Sequence, residues 1–392
     1  MIEHEKSNPA GITLHVTNIP TPYRLPLYRS IRRQLRQSGR DFHVFFLNNG
    51  KRQRLWKIGE EDLEGIEYSR ASSSARMFAD VTETIDRLTP SVVVLSWAMD
   101  VTALRLLIYC RRHAIRCLIV TGETIDTFSR NKKRALRGLL RRPFFALADG
   151  YIAYGTRAVE YLLSCGVPRE RTSIAINVVD TEFFRTEIDR LRESGRDRQE
   201  REKYRRPDGG AFDVHLLFVG ELFTRKGVSQ TLAALAMLAD PAIALHIVGS
   251  GPQEEEIRAE VVRLGLESRM FIHGYRQKSE LPLYYSFADI LLFPSLEEVF
   301  GLVLVEGAAA ALPIIASVWA GGTPDVVFDE KNGLVIDPHD IAAYAAAIRR
   351  LVESPEERRR MGEEGRRHAI TALTPERSAQ GYITALKRVW KN

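Results

Sequence analysis

The chain of 392 residues is poor in sulfur and has no long apolar run. Its three cysteines, Cys110, Cys117 and Cys165, form no C-x-x-C pair. That excludes a disulfide framework or a cysteine metal site as the basis of the fold, and it fits a reducing cytoplasm. The most apolar windows are interrupted: Val92–Cys110 contains Asp100 and Arg105, and the Ala-rich run after Glu306 is broken by Gly and Pro. A bilayer-spanning helix needs about 20 apolar residues, so no transmembrane segment is expected. The first ten residues, MIEHEKSNPA, are polar and lack the apolar stretch of a secretory signal. Also missing are G-x-G-x-x-G, the phosphate-binding P-loop, H-E-x-x-H and G-x-S-x-G. These absences remove the commonest dinucleotide, nucleotide-hydrolysing, zinc-protease and serine-hydrolase readings.

What is present is ordinary for a globular protein of two domains. Hydrophobic residues make up 45% and charged residues 27%. The net charge of +6 is unevenly spread: residues 1–181 hold 28 Lys/Arg against 18 Asp/Glu, and residues 182–392 hold 28 against 32. A basic N-terminal half suggests an anionic partner there.

Apolar β-rich runs alternate with helical patterns. Ile12–Val16, Phe42–Leu47, Val92–Leu95, Arg116–Val120 and Gly150–Tyr154 read as buried strands, with amphipathic Leu25–Gln37 and Val101–His113 between some of them. This is the βαβ pattern of a parallel sheet covered by helices. Residues 182–210 interrupt it with dense charge, ending in Pro207-Asp208-Gly209-Gly210. They read as a solvated helix and turn, in the position of an interdomain connection. A second series follows, with strands at Val214–Val219, Ala244–Val248, Met270–Ile272, Ile290–Phe293 and Leu312–Ala316, helices at Gly227–Ala239 and Glu254–Leu264, and closing helices at Ile341–Glu353, Pro355–Ile370 and Pro375–Val389.

Chemistry concentrates in the second series. The strand Ile290–Phe293 runs into Pro294-Ser295, a loop with Glu298, and a helix start near Gly301. Ligands of open α/β sheets bind at the carboxyl ends of strands. The first amides of a helix, here Phe300, Gly301 and Leu302, lack intrahelical partners and suit an anion. Glu306 falls about one and a half turns into that helix. The strand Val214–Val219 runs into Gly220-Glu221-Leu222-Phe223-Thr224-Arg225-Lys226-Gly227, a loop with two adjacent cations.

Glu298-x-Phe300-Gly301, with Glu306 eight residues after Glu298, resembles the E-x7-E motif of retaining GT-B-fold glycosyltransferases of family 4. The preceding Pro294-Ser295 and the following Gly321-Gly322-Thr323-Pro324-Asp325 are in register with that family, and Gly220 to Gly227 is similar to its G-R-L-x-x-x-K-G. Glu221 stands where the family has Arg. The resemblance implies that Glu298 contacts the donor sugar, that Glu306 holds ribose hydroxyls, and that Arg225 and Lys226 clamp the diphosphate. Gly249 in Gly249-Ser250-Gly251-Pro252 and Tyr275 in His273-Gly274-Tyr275-Arg276 fall at further donor-side positions, the latter near the nucleobase. Glu298, Arg225 and Lys226 are thus the catalytic candidates. Gly220, Gly249, Tyr275, Phe300, Gly301, Leu302 and Glu306 join them as donor-binding candidates. There is no D-x-D, so no metal or other cofactor is expected beyond the nucleotide-sugar substrate.

In the N-terminal half, Pro22-Tyr23-Arg24 follows the first strand where relatives often carry P-Y-R, and Tyr23 and Arg24 are acceptor-side candidates. The Gly-Gly pair and cleft His of many relatives have no counterpart. Asn177 and Asp180 read as structural. Arg130–Phe145 carries seven positive and no negative side chains. It reads equally as a solvated helix or as a segment lying on an anionic membrane surface.

The expected architecture is GT-B: an α/β fold with two Rossmann-like domains facing a central cleft. An acceptor domain would span 1–181, with the helix 375–392 packing back on it, and a donor domain 182–374. The implied activity is retaining transfer of a hexose-type sugar from a nucleotide diphosphate to a hydroxyl on a sugar, lipid-linked or other acceptor. The alternative is a nucleotide-sugar-binding protein with an epimerase-like or inactive role. No motif supports binding to nucleic acid.

Overall fold

The computed structural model describes residues 11–47, 56, 58–96, 100–125 and 144–390. Most of the basic segment, 130–143, therefore lies outside the described residues. The chain divides into two compact units: Met1–Asn177 with Pro375–Asn392, and Val178–Thr374. Both are parallel sheets flanked by helices, the α/β architecture the alternating sequence pattern predicts.

The first unit holds β1 (Ile12–Thr17), β2 (Asp41–Phe46), β3 (Glu67–Arg70), β4 (Val92–Ser96), β5 (Arg116–Thr121), β6 (Gly150–Ala153) and β7 (Thr172–Ile174), in the order β3-β2-β1-β4-β5-β6-β7. The second holds β8 (Val214–Val219), β9 (Ile243–Val248), β10 (Met270–Gly274), β11 (Ile290–Phe293), β12 (Ile314–Ser317) and β13 (Gly333–Ile336), in the order β10-β9-β8-β11-β12-β13. Each sheet reverses direction of growth once, between β1 and β4 in one and between β8 and β11 in the other. Doubly wound sheets bind ligands outside the strand ends at that reversal, where neighbouring loops diverge and leave a crevice.

The two faces of the second sheet differ. Leu216, Phe218, Leu245 and Ile247 enter an aliphatic core. On the other face His215, His246 and His273 form a diagonal chain of hydrogen-bonded imidazoles, with contacts of 2.9 and 3.0 Å. Tyr204 and Phe287 cover them. Burial pushes His215 down to about 3 and His273 down to about 4, so the chain is neutral near pH 7.

The helix Pro375–Trp390 belongs to the first unit. Its buried residues Ser378, Ala379, Tyr382, Ile383, Leu386 and Val389 recur at three- and four-residue steps, giving one apolar stripe. Tyr382 Oη meets His15 Nδ1 at 2.7 Å, and Ser378 Oγ donates to the Ile176 carbonyl at 2.7 Å. The charged stretch 182–210 is not a solvated connection. Helices Thr181–Glu193 and Arg196–Arg201 both lie inside the second unit. Phe184, Ile188 and Leu191 give the longer helix a buried face, and Arg201 pairs with Asp289 at 2.9 Å. The density of charge masked an apolar stripe of period 3.6. Among the described residues, no helix is long and apolar enough to cross a membrane.

Candidate functional site

The loops after β8 and β11 meet at the reversal point of the second sheet. After β8 the chain forms a single tight turn, Thr224–Lys226, closed by Gly227 with φ +73°. A Cβ on Gly227 would lie 2.1 Å from the Pro294 carbonyl oxygen. Only glycine lets the two loops approach this closely. The approach is stitched by the Leu296 amide, which donates to the Arg225 carbonyl at 2.7 Å. On its far side the β11 loop is tied to the Gly321-Gly322 turn. The amides of Gly321 and Gly322 donate to the carbonyls of Glu298 and Phe300 at 2.9 and 2.8 Å. The Phe300 side chain is buried, so its place in the site is through its backbone.

This stitching brings Arg225, Lys226 and Glu298 together. Lys226 forms an ion pair with the Glu298 carboxylate, each side chain being 14% exposed. Arg225 stands 3.6 Å from the same carboxylate and 3.8 Å from Glu221. Two cations are therefore held at the sheet's reversal point, compensated mainly by one carboxylate. The helix Leu302–Ala309 starts beside them, with Gly301 as its N-cap at φ +94° and no acidic side chain in its first turn. Among the described residues, the amides of Phe300, Gly301 and Leu302 donate to no acceptor. Adjacent cations and unpaired helix-start amides have the chemistry to hold an anion.

Glu306 is the fifth residue of that helix and faces a different environment. Tyr285, fully buried in the helix Leu281–Phe287, donates its hydroxyl to Glu306 Oε2 at 2.6 Å. Burial pushes the Glu306 carboxyl up to about 7, against opposing pulls from the Tyr285 hydroxyl and the Lys278 ammonium. Lys278 lies 3.9 Å from Asp180 and 4.7 Å from the Phe183 ring centroid. Asp180 is a helix cap, accepting from the Phe183 amide at 3.1 Å. A recessed carboxylate with one hydroxyl already bound suits further hydroxyl groups.

The remaining positions expected on the donor side, Gly220, Gly249 and Tyr275, lie at the ends of β8, β9 and β10. The Gly220 amide donates to the Val248 carbonyl at 3.0 Å, and the Gly249 amide to the Gly274 carbonyl at 2.9 Å. Tyr275 follows directly and is 36% exposed, on the rim. Sequence reasoning missed Lys278 and Tyr285. Lys278 is three residues past Tyr275 in the same basic loop. Tyr285 sits in an apolar run that gave no sign of a polar role.

Tyr23 and Arg24 belong to the first unit, in the loop from β1 to the helix Leu25–Arg36. The Arg24 guanidinium donates to Tyr154 Oη and lies 3.5 Å from Thr17 Oγ1 and 3.4 Å from Ser96 Oγ.

With this geometry in view, residues 198–368 match the family described as Glycosyl transferases group 1. A D-inositol 3-phosphate glycosyltransferase of Thermomonospora curvata is 32% identical over 250 residues, covering 60% of this chain and 56% of that protein. A glycogen synthase of Mycobacterium tuberculosis is 34% identical over 190 residues, covering 47% of this chain and 44% of that protein. The chain thus spans about half the length of the curated relatives it matches. Over nearly the whole chain the fold is that of Anabaena Alr3699/HepE in complex with UDP, with TM-score 0.74, 18% identity and coverage of 96% and 100%. It is equally that of sucrose-phosphate synthase from Thermosynechococcus elongatus, with TM-score 0.75, 19% identity and coverage of 97% and 99%. The two-unit α/β fold is therefore of the GT-B type.

Proposed function

We propose that the protein is a retaining glycosyltransferase of family 4, moving a hexose-type sugar from a nucleoside diphosphate donor to a hydroxyl acceptor. One observation carries this: Arg225, Lys226, Glu298 and the free amides of Phe300, Gly301 and Leu302 converge at the reversal point of the second sheet. They do so inside the stretch that matches Glycosyl transferases group 1. In this reading the second unit binds the donor and the first the acceptor. The amides and the two cations hold the diphosphate. As the glycosidic bond breaks, charge grows on the β-phosphate, and preorganised cations lower that barrier. Glu298 orients the sugar, and Glu306 accepts from the ribose hydroxyls. Gly220 and Gly249 let the backbone line the donor, Tyr275 borders the base, and Tyr23 and Arg24 face the acceptor. Charge is supplied by side chains and amides, so the reaction is written without a metal. The acceptor hydroxyl attacks from the face the diphosphate leaves, and the anomeric configuration is kept.

Neighbours of the same fold are described in complex with UDP and with UDP-glucose, which makes these the first ligands to try. Each should stabilise the protein, by about 2.7 kcal/mol at 100 times its dissociation constant. Lys226→Ala should abolish most of that shift and most transfer. Full transfer by Lys226→Ala, or no stabilisation by any nucleoside diphosphate, would refute the reading. Product formed from donor alone would point instead to an epimerase-like reaction. The basic segment 130–145 would seat the protein on the cytoplasmic face of an anionic membrane. Flotation with anionic but not neutral liposomes tests this.

A further inference from the structure

The first sheet has its own reversal point, between β1 and β4, and one cation sits over it. Thr17 closes β1 and pairs in register with Ser96, which closes β4. The Arg24 guanidinium reaches both hydroxyls and donates to Tyr154 Oη, just beyond β6. Among the described residues, no carboxylate pairs with it.

Of the four arginines on the helix that follows, Arg29 is exposed and donates to the backbone carbonyls of Glu64 and Asp62, and the other three pair with carboxylates. Arg32 pairs with Asp41 and Glu67, Arg33 with Glu376, and Arg36 with Asp41. The ionisable groups that face Arg24 are His15 and the hydroxyls of Tyr23, Tyr28 and Tyr154, and none is a carboxylate. His15 is pushed down to about 3, by burial first and then by Arg24 itself, and is neutral. A partly buried guanidinium with only hydroxyl partners is an incomplete charge arrangement, since a desolvated cation gains most from an oxyanion.

A second polar group in the same turn is also unused. Thr21 is 7% exposed, and its Oγ1 has no hydrogen-bond partner. Its carbonyl accepts from the Arg24 amide at 3.0 Å, so hydroxyl and guanidinium belong to one rigid turn between Pro20 and Pro22 on one side and the helix on the other. That helix starts at Leu25 with no acidic residue in its first turn. The field of its N-terminus adds to the positive potential.

We infer that the crevice between β1 and β4 is a phosphate subsite, with Arg24 as the residue that binds the phosphate and Thr21 as an additional donor. Resting on the reading of the first unit as the acceptor side, the acceptor is a hydroxyl compound that carries a phosphate ester. The second sheet holds its cations against Glu298 until a ligand arrives. The first holds Arg24 with no such stand-in, so the anion must come from the ligand.

The test uses the full chain with Lys226→Ala, which removes one of the two donor-side cations, and it reads Arg24 alone. Arg24 is labelled with phenylglyoxal, and the modified peptide is quantified by mass spectrometry. Glucose 6-phosphate and inorganic phosphate form the soluble arm. Phosphatidylcholine vesicles doped with phosphatidylinositol form the lipid arm. One arm or the other should slow Arg24 labelling at least about fivefold relative to acetate or glucose at equal ionic strength, with Arg33 as the exposed control. The protecting arm identifies the source of the phosphate. Labelling in both arms as fast as with acetate or glucose, or protection by acetate as strong as by phosphate, would overturn the assignment. Arg24→Gln should weaken the protecting ligand roughly ten- to hundredfold and Arg24→Lys less. A loss equal in both variants and matched by a lowered melting temperature would make Arg24 structural and also overturn it. UDP binding to the unmutated chain is measured separately by calorimetry. Its failure would sink the transferase reading and leave the phosphate result standing.

Discussion

Glu298 is the counter-ion of Lys226 in the structure, and it is also the group proposed to meet the donor sugar. It cannot pair fully with Lys226 while a diphosphate does. Removing its charge should therefore separate binding from transfer. At an effective dielectric constant near 20, unit charges about 5 Å apart interact by about 3 kcal/mol. Arg225 is 39% exposed and screened by water, so the usable part is nearer 2 kcal/mol. Glu298→Gln should then bind UDP roughly thirtyfold more tightly than the parent, because no carboxylate competes for Lys226 or repels the phosphates. The same variant should transfer sugar at least about tenfold more slowly, having lost its charged contact to the donor. Calorimetry with UDP and a coupled assay of UDP release from UDP-glucose give the two numbers. The gain should vanish in the double variant with Lys226→Met. If Glu298→Gln weakens UDP as much as Lys226→Met does, the carboxylate is part of the diphosphate cradle, and the competition argument is wrong.

Two other perturbations follow from the geometry. Gly227→Ala must move the Pro294 carbonyl or unwind the turn, and should cost about 2–4 kcal/mol with loss of UDP binding. Gly265→Ala, at φ +65° in open space, should cost about 1 kcal/mol and leave UDP binding intact, so equal effects would contradict the close-approach argument. Glu306 has a folded-state pKa of about 7, above the usual value near 4.5. Its stabilising contribution is complete below pH 4.5 and is lost as pH rises through 7. Glu306→Gln should raise the melting temperature at pH 8 and leave it nearly unchanged at pH 4. UDP affinity should grow from pH 6 to 8 in the parent more steeply than in the variant, as the carboxylate forms. Parallel pH profiles would count against the ribose role.

The β-strands were legible because parallel strands buried on both faces read as unbroken apolar runs, as in Val214–Val219. β3, with the sequence EYSR, and β7, with three residues, carry too little apolar signal to be found that way. Arg225, Lys226 and Glu298 could be singled out because each follows a readable strand. Their mutual pairing could not, since it depends on how closely Gly227 lets two distant loops approach. Arg24 could be singled out for its position, but its lack of a carboxylate is a property of three-dimensional neighbours. Tyr285 was silent for the same reason.

The last helix has a consequence for biosynthesis. Its Tyr382 closes on His15 and Phe42, at the opposite end of the chain. The first unit to leave the ribosome is therefore the last to be finished. It waits with its β1 region uncovered while about 200 residues of the second unit are made. At 5–20 residues per second that interval is about 10–40 s. Through it, the second unit can form its complete sheet, while the first keeps an apolar seam open to whatever in the cell shields nascent chains.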